Sequence, residues 1–211
     1  FSPLMGAPQP DWPRQTLVAG FPFYDHAEHG QGIDPALERF LDAGPSPVVF
    51  TLGSSAVQYP GIFFDESLAV VRRLGCRAVF LAGPNSLREP LPPGTVAIPY
   101  APFSKIFPRA TAIVHSGGIG TCAQALAAGR PMLVVPFAFD QPDNAARLRR
   151  LGVARAIPRR QYTARRAYAE LEHLLNDPAY AASAFAAGRK IADENGVQSA
   201  CDTIESHALF P

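Results

Sequence analysis

The chain has 211 residues, of which 47% are hydrophobic and 18% are charged, and its formal net charge is +1. This composition excludes a disordered chain, and the length suffices to bury a full hydrophobic core. The near-neutral charge also excludes a general electrostatic attraction to nucleic acid or to anionic lipid. Since no apolar run approaches the roughly 20 residues that span a bilayer, we expect a globular protein of the cytoplasm.

The ends of the chain and its cysteines set the domain organisation. Residues 1–16 are rich in proline and begin with Phe rather than Met, so we expect them to be the remnant of an interdomain linker of a longer protein. Residues 17–211 are expected to form one domain. Cys76, Cys122 and Cys201 are far apart and have no paired spacing, which argues against disulfides and against a zinc site.

Short apolar runs then alternate with helical patterns. A weak run at 17–20 leads in from the linker, and stronger runs predict buried strands at 47–52, 77–82, 95–98, 110–115 and 132–136. The run at 153–157 predicts a further edge strand. Helices are predicted between the strands at 34–42, 66–74, 121–128 and 144–151. This alternation is typical of an α/β fold with a doubly wound, parallel, Rossmann-like sheet.

The last part of the chain, from Thr163 onward, has helical patterns only. Asp177-Pro178 ends the first of these helices, and Asn195-Gly196 separates the second from a last helix near Ser206. We therefore expect extra C-terminal helices after the sheet is complete.

A glycine-rich turn, His115 to Thr121, joins a predicted strand directly to a predicted helix. Glycines let a ligand approach the backbone, and a helix N-terminus offers free N–H groups with a partial positive charge. Ser116 and Thr121 add hydroxyl donors, whereas no Lys or Arg lies between Ser116 and Ala128. The sequence therefore predicts a phosphate site made of main-chain amides and hydroxyl groups.

The alternative is a purely structural role, in which these glycines only make a tight connection between strand and helix. A second small-residue turn, Thr51 to Ser55, favours the ligand site because it also follows a buried strand. The carboxyl ends of parallel strands share one edge of the sheet, where α/β proteins bind ligands. We expect both turns to contribute to one phosphate site.

A different ligand is also compatible with the glycine turn. Residues 118–123 match the dinucleotide fingerprint G-x-G-x-x-A, and Asp140 lies about 20 residues on, where an acid would bind ribose. An NAD-dependent oxidoreductase is therefore an alternative. Against it, at least three predicted strands precede this turn, whereas the fingerprint opens the first βαβ unit. A P-loop is excluded because G-x-x-x-x-G-K-[ST] is absent.

Three segments carry a resemblance to a known family: YAPFSKIFPRA at 100–110, VHSGGIGTCAQALAAGRPM at 114–132 and VVPFAFDQPDNAARLRRLG at 134–152. They resemble the donor-binding signature of GT-B nucleotide-sugar glycosyltransferases, in the UDP-glycosyltransferase family (family 1). The likeness is greatest to bacterial enzymes related to sterol glucosyltransferases and antibiotic glycosyltransferases, and the upstream GFPFYD and FTLGSSA segments share it. Glycine turn, Pro131, Asp140-Gln141 and Asn144 keep the family's order and spacing.

The resemblance implies roles for individual residues. Tyr100 would stack on the nucleobase, and Phe103 would supply backbone hydrogen bonds to it. Asp140 and Gln141 would receive the sugar hydroxyls, which suits a carboxylate and an amide. The diphosphate would be lined by residues of both turns, namely Gly53, Ser54, Ser116, Gly117, Gly118, Gly120 and Thr121.

Two of these positions depart from the commonest family pattern. Ser116 stands where many members have a phosphate-binding His, and Gln124 where many have a ribose-binding Glu. Ser can donate to a phosphate oxygen and Gln can bind a diol, but both lose charge assistance. A non-catalytic, glycosyltransferase-like nucleotide-binding module is therefore another alternative. His115 precedes the usual position and either caps the strand end or contacts the ligand.

The resemblance also implies the reaction. An acceptor hydroxyl, on a small or lipophilic molecule, would attack the anomeric carbon of a UDP- or dTDP-sugar while the nucleoside diphosphate leaves. No cofactor and no metal would be needed, and no D-x-D pair occurs in the sequence. The catalytic base and the acceptor pocket would belong to an N-terminal domain preceding Phe1, so the fragment alone would be inactive.

That N-terminal domain and the nucleotide-sugar donor are the expected partners, and any peripheral membrane association would come through the missing part. His26 and His29 are expected to be ordinary surface histidines rather than bases. Tyr59, Phe63 and Phe64 either border the acceptor cleft or pack in the core.

Overall fold

The structure is a computed structural model that describes residues 1–24 and 32–208. Its centre is a parallel sheet of six strands in the order β3-β2-β1-β4-β5-β6. The strands are β1 (Val48–Thr51), β2 (Ala78–Leu81), β3 (Thr95–Ile98), β4 (Ala112–His115), β5 (Met132–Val134) and β6 (Ala154–Ala156). This is the strand order of a doubly wound Rossmann sheet, which confirms the predicted fold class.

Helices lie on both faces of the sheet and continue after it. They are α1 (Pro35–Asp42), α2 (Gly53–Ala56), α3 (Phe63–Leu74), α4 (Phe103–Ile106), α5 (Ile119–Ala127), α6 (Gln141–Arg150), α7 (Ala164–Asn176), α8 (Pro178–Ala192) and α9 (Gly196–Ala208). Short 3-10 turns occupy Phe107–Arg109 and Arg159–Gln161. The last three helices confirm the predicted change of pattern. Within 1–24 and 32–208, no helix is both long and apolar enough to cross a membrane.

Alternation along the strands divides the core into two layers. Val49 and Ile113 belong to the layer that contains the α5 and α6 side chains, while Phe50 and Val114 belong to the layer beneath α3 and α7. Residues of β1, β2, β4 and β5 are buried without exception, as expected for strands covered on both faces. The sheet is therefore covered on both faces, and the loops that follow its strands lie at its carboxyl edge.

The run at 17–20 was predicted to lead in as a weak strand, and this prediction is wrong. Gly20 has a φ of +104°, so the chain turns there instead of extending along a sheet edge. The Gly20 N–H donates to the Phe1 carbonyl at 3.3 Å. A Cβ on Gly20 would lie only 3.1 Å from the Cα of Gly196 at the start of α9. Residues 17–20 therefore pack closely against the start of α9.

The first residues of the chain also pack on the domain. Ser2 and Met5 are buried, and the Ser2 hydroxyl bonds to the Glu194 carboxylate. The Arg147 guanidinium donates to the Met5 carbonyl at 2.7 Å. The segment before residue 17, whatever it connects to, is thus anchored against α6 and the C-terminal helices.

Helix starts differ from the sequence prediction at two places that matter for function. Helix α5 begins at Ile119, two residues before the predicted start, and Gly118 is its N-cap. Helix α6 begins at Gln141, with Asp140 as N-cap and Pro142 in its first turn. The predicted helix began at 144 and so left Pro142 out, but proline is well suited to the first helical turn because its φ is already helical.

Candidate functional site

The two glycine turns lie side by side where the strand order reverses. They follow β1 and β4, which are hydrogen-bonded neighbours. A Cβ on Gly53 would lie 3.1 Å from the Thr121 hydroxyl oxygen, so the turns are in contact. The point between β1 and β4 is the switch point of this topology, where a crevice opens outside the carboxyl ends of the strands.

A cavity of about 1030 Å³ opens in front of these turns. Of the residues predicted for the site, it is lined by Gly53, Ser54, Tyr100, Phe103, Gly120, Thr121 and Gln124. The structure thus brings together the two turns and the segment that follows β3. His115, Ser116, Gly117, Gly118, Asp140 and Gln141 are not among the lining residues.

Another wall of the cavity comes from the N-terminal segment, which contributes Phe1, Phe21, Phe23 and Tyr24. Reasoning from sequence did not assign these residues to the site. The aromatic-rich GFPFYD segment was the available signal, but nothing in its local pattern shows that it returns to the sheet edge. Most of this wall is apolar, in contrast to the polar turns opposite.

The N-terminus of α5 supplies hydrogen-bond donors to the cavity. The first N–H groups of an α-helix have no partner inside the helix, and Gly118 has no side chain to cap them. A Cβ on Gly118 or Gly120 would meet no atom within 4 Å, so the space beside both residues is open. Open space, free amides and the positive end of the helix dipole together favour an anion.

Gly117 shapes the turn from within. It is buried with a φ of +89°, and its N–H donates to His115 Nδ1 at 3.1 Å. A Cβ at this position would approach Val134 Cγ1 to 2.8 Å. The Gly117 amide is therefore already paired, unlike the amides that begin α5.

His115 is a buried part of the same turn. Burial lowers its pKa to about 3, so the imidazole is neutral at physiological pH. Its Nδ1 accepts from Gly117, and its Nε2 has no hydrogen-bond partner among the residues described. These contacts favour the strand-end interpretation of His115 over direct contact with a ligand.

Ser116 was predicted to donate to a phosphate oxygen. In the structure it is buried, and its hydroxyl donates to the Leu52 carbonyl at 3.0 Å. A hydroxyl has a single hydrogen, so this bond occupies its donor. The residue joins the two turns instead of facing the cavity.

Asp140 and Gln141 lie beside the glycine turn, on the loop that enters α6. A Cβ on Gly117 would be 3.3 Å from the Gln141 carbonyl oxygen. Gln141 is buried, and its Oε1 accepts from the N–H groups of Phe137 at 2.7 Å and Ala138 at 3.1 Å. Asp140 is exposed at the N-cap of α6. Gln141 thus builds the loop, while Asp140 stands at its surface.

Asn144 links the glycine turn to Asp140. The sequence analysis noted only the spacing of this residue. Its Nδ2 donates to the Gly117 carbonyl at 2.9 Å and to Asp140 Oδ2 at 2.7 Å. The signal that was available is the interval of four residues from Asp140, which places both side chains on one helix face.

Tyr100 and Phe103 form the aromatic end of the cavity, after β3. The Tyr100 side chain is 50% exposed. Phe103 begins α4, and its ring stacks on Phe107 with centroids 4.4 Å apart. A planar ligand can therefore lie against Tyr100, near the start of α4.

Other candidate residues have different positions. Phe63 and Phe64 are buried, so they pack in the core, whereas Tyr59 is 79% exposed. His26 and His29 lie outside the described residues. Within the described ranges, no three side chains of His, Cys, Asp or Glu are grouped in a way that could hold a metal ion.

The dinucleotide alternative does not fit this topology. The glycine turn follows β4 rather than the first strand of the sheet, and three strands precede β4 in sequence. Asp140 lies at the N-cap position of α6 instead of at the end of β5, the next strand after the turn. Both features depart from the geometry that places a ribose on an acidic side chain.

Comparison with known proteins gives a consistent answer. Residues 78–205 match the family described as "Erythromycin biosynthesis protein CIII-like, C-terminal domain". An O-mycaminosyltylonolide 6-deoxyallosyltransferase of Streptomyces fradiae is 38% identical over 210 residues, which cover 99% of this chain and 49% of that protein. A sterol 3-beta-glucosyltransferase of Arabidopsis thaliana is 30% identical over 98% of this chain and 33% of its own length.

Solved structures agree with these sequence relatives. The glycotransferase of kitacinnamycin has a TM-score of 0.70 and 30% identity, over 78% of this chain and 44% of that one. The calicheamicin glycosyltransferase CalG4 has a TM-score of 0.66 and 25% identity, over 83% and 43%. The chain spans half or less of the length of the relatives named here. The matched residues include β4, the glycine turn and α6, and the chain therefore belongs to the erythromycin biosynthesis protein CIII-like family of C-terminal domains of GT-B glycosyltransferases.

Proposed function

We propose that this chain is the donor-binding half of a glycosyltransferase that moves a sugar from a UDP- or dTDP-sugar to a hydroxyl group of a small or lipophilic acceptor. One observation carries the proposal. The uncapped N-terminus of α5 and the turn after β1 meet at the switch point of the sheet and face one large cavity. This arrangement is suited to a diphosphate.

The remaining parts of a nucleotide sugar can be assigned around that diphosphate. The nucleobase lies against Tyr100 at the aromatic end of the cavity, and Gln124 faces the ribose. Ser54 and Thr121 donate hydroxyl groups to the phosphates. Asp140, which is exposed next to the glycine turn, accepts from the hydroxyls of the sugar.

The chemical contribution of these residues is stabilisation of the leaving group. As the glycosidic bond breaks, negative charge develops on the diphosphate, and fixed amides at a helix N-terminus stabilise that charge without having to reorganise. Because amides and hydroxyls can supply this stabilisation, the proposed reaction needs no metal ion. No cofactor takes part.

The acceptor site and the general base are assigned to the other half of the protein. The relatives named above are two to three times as long as this chain, as the covered shares of 49% and 33% show. One of them acts on a sterol by its name, which is why the proposed acceptors include lipophilic alcohols. We further propose that the protein works in the cytoplasm of a bacterium.

Calorimetric titration of the 211-residue chain tests the proposed donor site. We expect UDP or dTDP to bind and NAD to give no comparable heat. Preference for NAD would return the oxidoreductase interpretation. A folded chain that binds no nucleotide would instead favour a glycosyltransferase-like module whose donor site has decayed at Ser116 and Gln124.

A pair of variants sharpens this experiment. Gly120 and Ala179 are both the second residue of their helices, α5 and α8. An acidic residue in the first turn of a helix favours its stability, so neither Gly120→Asp nor Ala179→Asp should unfold the protein. Gly120→Asp should abolish diphosphate binding by charge repulsion, whereas Ala179→Asp should bind as the wild type does.

A further inference from the structure

The Asn144 side chain connects two loops that the strand order brings together. It is only 6% exposed, and its single amide nitrogen lies 2.9 Å from the Gly117 carbonyl oxygen and 2.7 Å from Asp140 Oδ2. An amide NH₂ group carries two hydrogens, so it can donate to both acceptors at once. One side chain thus joins the β4–α5 turn to the start of α6.

The bond to Gly117 has a consequence for the next amide. A trans peptide is planar, and its C=O and N–H point in opposite directions. By holding the Gly117 carbonyl, Asn144 directs the Gly118 N–H away from itself. On the other side of Gly117, His115 Nδ1 holds the Gly117 N–H at 3.1 Å. The turn is therefore held from both sides just before the free amides of α5.

The bond to Asp140 has a second consequence. Asp140 is the N-cap of α6, yet its side chain makes no capping hydrogen bond to that helix. The Asn144 amide donates to this carboxylate and so orients it, while Asp140 stays exposed. A carboxylate that is held through one oxygen but remains accessible can present its other oxygen to a hydroxyl group in a defined direction.

We propose that Asn144 is a positioning residue that couples the diphosphate end and the sugar end of the donor site. This inference rests on the proposed function. Asn144 itself contacts neither part of the donor. It fixes the Gly118 amide for the diphosphate and the Asp140 carboxylate for the sugar, and so sets the distance between the two.

Binding measurements with four ligands separate the two ends: UDP, UDP-glucose, dTDP and dTDP-glucose. The wild-type chain shows which nucleotide is preferred, and the ratio of the two dissociation constants for that nucleotide reports what the sugar contributes. Asn144→Leu keeps the side-chain volume and removes both donors. We expect this variant to weaken binding of the nucleoside diphosphate by about tenfold. We also expect it to reduce the sugar's contribution to affinity by about tenfold.

A comparison with Asp140→Ala tests whether Asn144 acts through that carboxylate. Asp140→Ala should remove the sugar's contribution and leave the diphosphate affinity almost unchanged. Adding Asn144→Leu should then weaken binding of the nucleoside diphosphate but cause no further change in the ratio. The reason is that the effects of mutating two residues that act as a unit are not additive. Loss of folded protein lowers the number of sites but cannot change the ratio, so misfolding cannot imitate this result.

A pH profile adds a readout that a merely structural role would not move. Asn144→Asp places a second carboxylate beside Asp140, and the repulsion raises one pKa of the pair. The sugar's contribution should be small at about pH 8 and recover towards about pH 5, where the pair shares a proton. The wild-type ratio, measured at each pH, corrects for titration of the ligand.

Asp143→Asn is the matched control, since Asp143 neighbours Asn144 on the same helix but pairs with Arg147 at the surface. It should change neither affinity. If the wild type binds none of the four ligands, both the proposed function and this inference are wrong. If the wild type binds them and Asn144→Leu keeps both affinities, or if the effects on the ratio are additive, the inference alone is wrong.

Discussion

The Ser116 hydroxyl donates a hydrogen bond to the Leu52 carbonyl, with 3.0 Å between the two oxygens, and both residues are buried. Leu52 directly precedes Gly53, and Ser116 directly precedes Gly117. The bond therefore ties the two glycine turns together at the point where β1 and β4 end. A small hydroxyl side chain at position 116 thus links the two turns directly.

Replacing Ser116 by Ala should therefore lower stability. The Leu52 carbonyl would stay buried and lose its partner, which costs about 1 kcal/mol of the free energy of unfolding. Urea unfolding of the wild type and the variant measures this difference. Ser54→Ala is a suitable control because Ser54 is exposed in the neighbouring turn, and such a change is usually within about 0.5 kcal/mol. Equal losses for both variants would contradict the assigned role.

The glycines of the turn should separate stability from binding. Gly117→Ala requires a non-glycine residue at φ +89° and brings a Cβ to 2.8 Å from Val134, so we expect a loss of about 2 kcal/mol or more. Gly120→Ala places its Cβ in open space within α5, where Ala is favoured over Gly by up to about 1 kcal/mol. It should keep or raise stability. It should nevertheless weaken binding of UDP or dTDP, because the methyl group occupies the space beside the free amides.

Urea unfolding measures the stability of the Gly117→Ala and Gly120→Ala variants, and calorimetry on the same samples measures their nucleotide affinity. Gly117→Ala should have the lower unfolding midpoint, and Gly120→Ala the larger rise in dissociation constant per folded site. Nucleotide affinity that follows stability in both variants would show that the amides of α5 are not the ligand contact.

Much of this arrangement could be predicted from the sequence because its signals are local. Buried strands read as continuous apolar runs, and glycine turns after two of them predict a ligand site at one sheet edge. The pairing of Ser116 with Leu52 could not be predicted, since the two residues are 64 positions apart and nothing in either segment specifies which hydroxyl meets which carbonyl. The same limit applies to the aromatic wall from Phe21 and Phe23, which depends on how the first segment crosses the domain.

Helix boundaries show another limit. The start of α5 was placed too late because Ile119 and Gly120 were interpreted as turn residues, whereas glycine is tolerated at an exposed position in the first turn of a helix. Local propensity alone does not resolve such a start, and the difference decides which amides are free. Here the earlier start adds the Ile119 and Gly120 amides to those that have no partner inside the helix.

Tyr100 should contribute to nucleotide affinity through its ring. Stacking of a base on an aromatic side chain is worth about 1–3 kcal/mol, so Tyr100→Ala should raise the dissociation constant of UDP or dTDP by roughly tenfold or more. Tyr100→Trp keeps a planar surface and should bind nearly as well as the wild type. Inorganic pyrophosphate has no base, and its affinity should be the same for all three proteins. A variant effect on pyrophosphate would place Tyr100 at the phosphates instead.

Metal removal should leave nucleotide binding intact. The proposed site opposes the charge of the diphosphate with amides and hydroxyls, and the described residues offer no grouped His, Cys, Asp and Glu side chains for a cation. Titration of UDP or dTDP after treatment with EDTA should therefore reproduce the affinity measured before it. Recovery of lost affinity on adding Mg²⁺ would contradict this expectation.

The buried imidazole of His115 should make stability depend on pH. Its pKa is about 3 in the folded protein, because of desolvation, and about 6.5 when the chain is unfolded. Between these values the unfolded state binds a proton that the folded state does not, so the free energy of unfolding falls as pH decreases below about 6.5. The slope from this one group approaches about 1.4 kcal/mol per pH unit. His115→Gln removes the titrating group and with it this contribution.

Urea unfolding of the wild type and His115→Gln at intervals from about pH 7.5 to about pH 4.5 checks the linkage. The variant should be less stable at the upper end, because the Gly117 N–H loses its geometry-matched acceptor. The difference between the two proteins should then shrink steadily towards acid, since other titrating groups are shared and cancel. Parallel curves would mean that His115 is protonated in the folded protein as readily as in the unfolded chain, which its burial beside β4 should prevent.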